Sequence, residues 1–192
     1  MLRPFSNSIY ACLLVIAPAA IAADDPKFDY RVLSTTRTST MEKEMNEAAD
    51  AGFSFSSAMG GETAVGGKEV VVVMSKGDTT ASAPKRVYRL LATSRTSTMQ
   101  KELQALGDEG FEYKGQTVFE TGFSGREVVV IMERIGGGDS GRIQYRLLST
   151  AKTSTMQKEL REAGEAGFAL VGMTVGKTSF GGAELVSILR KK

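Results

Sequence analysis

The chain has 192 residues with 24 basic and 22 acidic side chains, a net charge of +2 at neutral pH. So small an imbalance gives no electrostatic case for a nucleic-acid partner. No histidine occurs anywhere and Cys12 is the single cysteine, which excludes serine–histidine triads, histidine-held zinc and a disulfide framework.

At the N-terminus, MLRPFSNSIY carries only Arg3 as a charge, ACLLVIAPAAIAA is apolar with small residues at its end, and DDPKFDY follows at once. This pattern predicts a signal peptide over residues 1–22, cut near Ala22 or Ala23. Its apolar run is short for a membrane span. The expected location is therefore periplasmic or secreted, with no stable transmembrane segment once the leader is removed. Cys12 lies before most of the apolar stretch, the wrong place for a lipid-bearing cysteine.

Beyond the leader the chain repeats itself. Three segments align without a gap: Tyr30 to Lys76, Tyr88 to Arg134 and Tyr145 to Lys191. All three open with Tyr-Arg and share Thr-Ser-Thr-Met, Lys-Glu, Gly-Phe and a later Gly and Glu. Repetition fixes architecture before any element is assigned. The linkers 77–87 and 135–144, rich in glycine, serine and threonine, read as exposed connections.

Each unit reads as strand, helix, strand, strand. YRLLST is extended in character, and a serine at Ser39, Ser97 or Ser154 is expected to cap a helix, with Glu42, Gln100 or Gln157 completing a capping box. Met41, Met99 and Met156 begin a buried stripe. Gly52, Gly110 and Gly167 should end the helix in a left-handed conformation, and Phe53, Phe111 and Phe168 should anchor the next strand. A hairpin then leads to the most apolar segment: EVVVVM, EVVVIM or ELVSIL. A continuous apolar run implies a strand covered on both faces, while one helix covers only one. A unit this small buries too little surface to be robust alone. The expected fold is α+β: three tandem βαββ repeats packed with pseudo-threefold symmetry, sheets inside and helices outside. A linear row of units is the competing arrangement.

The third copy's YRLLST, EAGEAGF, ALVGMTV and ELVSILRK, with their counterparts in the other two, form a pattern that resembles the small bacterial βαββ family filed as domain of unknown function 4177. Gly-Phe stands here where that family usually has Gly-Trp. The resemblance implies a fold and a bacterial origin, and it supplies no catalytic residues.

The repeated helix starts are the candidate ligand site. Free backbone N–H groups and a partial positive charge concentrate there. The candidates are Arg37, Ser39 and Thr40; Arg95, Ser97 and Thr98; and Lys152, Ser154 and Thr155, which a threefold arrangement would gather into one trivalent anion site. Capping and extended entry into the helix explain the same residues structurally. Glu69, Glu127 and Glu184, each before the apolar strand, are carboxylates that more often pair with nearby cations than form a metal or acid–base cluster. With no cofactor or metal implied, the expected role is an exported, non-enzymatic module that binds a protein or a cell-envelope polymer. Anion or small-ligand binding is the alternative.

Overall fold

The computed structural model describes residues 27–64, 67–77, 84–93, 95–121, 125–136, 141–177 and 183–192. The expected leader and parts of both linkers lie outside these residues. Repeat 1 comprises β1 (Phe28–Thr35), α1 (Thr38–Asp50), β2 (Ser54–Thr63) and β3 (Gly67–Gly77). Repeat 2 comprises β4 (Arg86–Thr93), α2 (Thr96–Asp108), β5 (Glu112–Thr121) and β6 (Gly125–Ile135). Repeat 3 comprises β7 (Gln144–Thr150), α3 (Thr153–Glu165), β8 (Ala169–Lys177) and β9 (Ala183–Lys191). The fold is α+β, with three separate antiparallel sheets ordered β1-β3-β2, β4-β6-β5 and β7-β9-β8. The apolar strand is central in each, as its composition requires.

Strand alternation divides each sheet into a front, which carries the repeat's own helix, and a back. On the front of sheet 1, Val70, Val72 and Met74 are buried in one cluster with Met41, Met45 and Ala48 of α1. That cluster also takes in Tyr88, Val129 and Ile131 from repeat 2. A second cluster repeats the scheme, joining Met99, Leu103, Val128, Val130 and Met132 of repeat 2 to Tyr145, Val186 and Ile188 of repeat 3. The fronts of sheets 1 and 2 are thus each completed by their own helix and by the back of the sheet that follows.

Glycine ends the helices as expected. Gly52, Gly110 and Gly167 have φ of 88°, 80° and 85°, a region costly for side chains with a Cβ. The amide of Phe53 reaches back to the Ala48 carbonyl at 3.0 Å, and those of Phe111 and Phe168 do the same in their repeats. A cation at the end of each central strand supports the same turn: Lys76, Arg134 and Lys191 donate to the carbonyls of Ala51, Glu109 and Ala166. Phe53 and Phe111 are buried, and Arg31 and Arg134 lie over their rings at 4.6 and 4.7 Å.

The helix starts differ from expectation. The extended cap residues are Arg37, Arg95 and Lys152, and none has a side-chain capping hydrogen bond. Ser39, Ser97 and Ser154 therefore lie inside the first turn, and no capping box forms at Glu42 or Gln100, whose side chains bond the next repeat instead. The hydroxyls of Thr35, Thr93 and Thr150 accept from the backbone amides of Arg37, Arg95 and Lys152 at 3.1 to 3.2 Å, turning the chain into the helix.

The expected threefold closure is also corrected. Among the described residues, repeat 1 packs on repeat 2 through α1–β4 and β2–β5, and repeat 2 packs on repeat 3 through α2–β7 and β5–β8; no comparable packing joins repeat 1 to repeat 3. One neighbour in front is enough to complete each core, so nothing in the packing calls for a ring. The units form an open series.

Candidate functional site: the ends of the repeat series

The joints between repeats define what the ends lack. In the first joint, polar side chains of α1 occupy the backbone groups of edge strand β4. Asn46 donates to the Tyr88 carbonyl and accepts from its amide at 3.0 and 2.9 Å. Glu42 accepts from the Leu90 amide and from Arg89, both at 2.9 Å. In the second joint, Gln104 accepts from the Tyr145 amide at 2.9 Å, and Gln100 bridges the Tyr145 carbonyl and the Leu147 amide at 2.9 and 2.6 Å. Helical residues one turn apart thus pair with alternate strand residues, and the edge is sealed without another strand.

The repeated tyrosine locks each joint from the other side. The Tyr88 hydroxyl accepts from the Phe55 amide of repeat 1 at 2.9 Å and donates to the buried Glu133 carboxylate at 2.5 Å. Lys114 and Arg86 flank that carboxylate at 2.8 and 3.4 Å, so the buried charge is paired. The Tyr145 hydroxyl accepts from the Tyr113 amide at 2.8 Å and donates to the Phe111 carbonyl at 3.0 Å. Burial is the main force raising the hydroxyl pKa of both, that of Tyr145 to about 12, with the Glu133 hydrogen bond adding to the shift at Tyr88.

Glycine spacing fits the same joints. A Cβ at Gly107 would collide with the Ile143 carbonyl, and one at Gly172 with the Tyr113 hydroxyl; one at Gly115 would press on the Phe55 ring at 2.9 Å. These positions stay bare because the neighbouring repeat occupies the space.

At the ends these partners are missing among the described residues. Tyr30, the counterpart of Tyr88 and Tyr145, is 61% exposed where they are 0% and 4%. It shares the back of sheet 1 with Val32 (65%) and Met59 (57%), since β3 pairs Ser75 with Tyr30, Val73 with Val32 and Val71 with Met59. Phe28 extends the same patch against Tyr30, their ring centres 6.2 Å apart. At the other end, Leu170 (47%), Met173 (50%) and Val175 (39%) stand exposed on the front of sheet 3, paired across to Leu189, Ser187 and Leu185. The counterparts of Leu170, which are Phe55 and Tyr113, pack into the two cores.

All nine residues expected to hold an anion are exposed: Arg37, Ser39, Thr40, Arg95, Ser97, Thr98, Lys152, Ser154 and Thr155. They are not gathered, because α1 and α2 pack on strands of their own and the following repeat and α3 on strands of its own. A cavity of about 360 Å³ does open at the start of α1, with Thr38, Ser39, Leu90, Glu42 and Glu102 in its walls. Two carboxyl groups there oppose an anion. Partial burial raises the pKa of the Glu102 carboxyl.

Glu69, Glu127 and Glu184 stand in three different sheets, and among the described residues no group of three or more acidic side chains is placed to share a metal ion. Glu69 accepts from the Ser34 and Thr63 hydroxyls, which hold its carboxyl below the usual range. These bonds tie the strand ends of sheet 1 together.

Sequence reasoning singled out the tyrosines only as a shared opening and missed Asn46 and Gln104 altogether. Their signal was available: a polar residue one turn after the Glu or Gln on the helix, matched to a tyrosine repeated in every unit. No protein-family model matches the chain, and neither a curated protein nor a solved structure matches it.

Proposed function

We propose that the protein is an exported, non-catalytic module that acts by binding another macromolecule of the cell envelope through an exposed sheet face. The observation that carries this reading is the apolar patch of Phe28, Tyr30, Val32 and Met59 on the back of sheet 1. Contiguous apolar surface of this kind is costly to leave in water and marks interaction sites. In repeats 2 and 3 the same face is buried against protein, which makes a polypeptide the favoured partner. The leader expected over residues 1–22 places the module in the periplasm or outside the cell, and the resemblance of its units to a bacterial βαββ family fits that setting. Anion binding at the helix starts has less support, since the three starts are separate and carboxyl groups line the cavity at the first.

Capture from an envelope extract tests the reading, using the chain, the Val32→Lys variant and a variant with Arg37, Arg95 and Lys152 all changed to alanine. A protein held by the chain and by the triple variant, but lost with Val32→Lys, is the expected result. Retention by Val32→Lys with loss in the triple variant would transfer the function to the helix starts.

A further inference from the structure

We propose that the chain associates head to tail with a second copy of itself, the α3–β8 end of one copy seating on the back of sheet 1 in the next. This rests on the reading of that face as a protein-binding surface and names its partner. The two exposed ends are the two halves of one joint, which the molecule already contains twice. In both internal joints, a helix and the front of one sheet receive the tyrosine-bearing strand and the back of the following sheet. Repeat 3 has the receiving half without an occupant among the described residues, and repeat 1 has the entering half without a receiver.

The match extends to single residues. Gln157 and Arg161 stand on α3 where Gln100 and Gln104 stand on α2, and both are exposed. Across the copy–copy joint they would face the backbone of β1 around Tyr30. Arg161 can donate to a carbonyl there but cannot accept from an amide. Its charge would instead lie near Asp29, beside Tyr30 in the strand. Leu170 takes the place of Phe55 and Tyr113, which sit against Gly115 and Gly172. The residue it would meet in the next copy is Ser57, small and exposed.

Gly164 is compatible with the same joint. Its counterpart Gly107 has no Cβ because the Ile143 carbonyl fills that space, yet a Cβ at Gly164 would meet nothing within 4 Å. Glycine within a helix is unfavourable relative to alanine, and the first joint holds Ala49 at this position, buried in its core, so only the second joint needs it bare. Gly164 leaves room for the close approach of that second joint once a second copy's first strand lies there. Because the contact joins unlike surfaces, it builds a chain of copies or a ring.

The test is the mass of the purified chain against concentration, by sedimentation or light scattering, with Val32→Lys blocking one end and Leu170→Lys the other. The chain is expected to assemble beyond the monomer, while each variant alone stays monomeric. An equimolar mixture of the two should form a dimer and stop there, since one intact half remains on each.

A chain that stays monomeric throughout overturns the inference. So does a single variant that dimerises by itself, which signals symmetric pairing of like faces. If the chain is monomeric and yet captures an envelope protein in a Val32-dependent way, the inference fails while the binding-module reading stands.

Discussion

Asn46 shows how much a single side chain does in this molecule. Its amide satisfies both backbone groups of Tyr88, so Asn46→Ala strands a donor and an acceptor at a packed joint. The expected loss is about 1–3 kcal/mol, read as a lower denaturation midpoint with an unchanged slope. Gln104→Ala should cost a similar amount through Tyr145. Arg161, at the same position in repeat 3, is exposed, and Arg161→Ala should leave monomer stability within about 0.5 kcal/mol. A large loss there would mean that α3 has a partner within the same copy.

At the scale of the element, the helix and strand order was legible because its signals are local. Periodic Met and Leu residues, Gly-Phe at the helix end and an unbroken apolar strand each report on their own neighbourhood. The helix start was misread for a physical reason. Ser39 followed by Glu42 has capping-box spacing, but the threonine at position 35 turns the backbone earlier, and Glu42 gains more from Arg89 and the Leu90 amide. A pairing between residues over forty positions apart leaves no mark in the local pattern. The candidate site was less legible still, since exposure depends on which repeat lies next to which.

The second joint should respond to pH at both extremes. Burial raises the hydroxyl pKa of Tyr145 to about 12, so its contribution is complete below the ordinary tyrosine value near 10 and is lost as pH rises through about 12. Glu112 is held below the usual carboxylate range, first by Lys192 at 2.5 Å and also by Arg190 at 3.1 Å. Its contribution is present above the ordinary carboxylate pKa and disappears as pH falls through the lowered value. Tyrosinate absorbance followed together with circular dichroism should show alkaline ionisation of Tyr145 coinciding with loss of structure. In Tyr145→Phe the coupled absorbance step should shrink by one tyrosine, with Tyr88 and Tyr113, whose hydroxyl pKa burial also raises, still contributing, and stability below pH 10 should be reduced. Ionisation of Tyr145 well before any loss of structure would contradict this description of the joint.

For the whole molecule, completion of each core by the next repeat makes stability a matter of neighbours, as in other serial architectures. Ile188 belongs to the core centred on repeat 2. Ile188→Ala is therefore expected to cost about 2–5 kcal/mol and to lower amide protection in repeats 2 and 3 more than in repeat 1. Uniform loss of protection would instead describe one undivided core. The sequence predicted the need for a second cover over the apolar strand, and the structure provides it by stacking in series. Three equivalent repeats suggest a ring from pattern alone, whereas the contacts make two joints and leave two ends.

That open series is tested most directly by one pair of substitutions, Gly107→Ala and Gly164→Ala, compared by denaturation at a dilution where the chain is monomeric. The two positions are equivalent in the repeat, but the first faces the Ile143 carbonyl and the second faces open space. Gly107→Ala is expected to destabilise the protein, and Gly164→Ala to stabilise it by about 0.5–1 kcal/mol from helix propensity. Equal destabilisation by both would show that α3 is covered as α2 is, and that the series closes on itself.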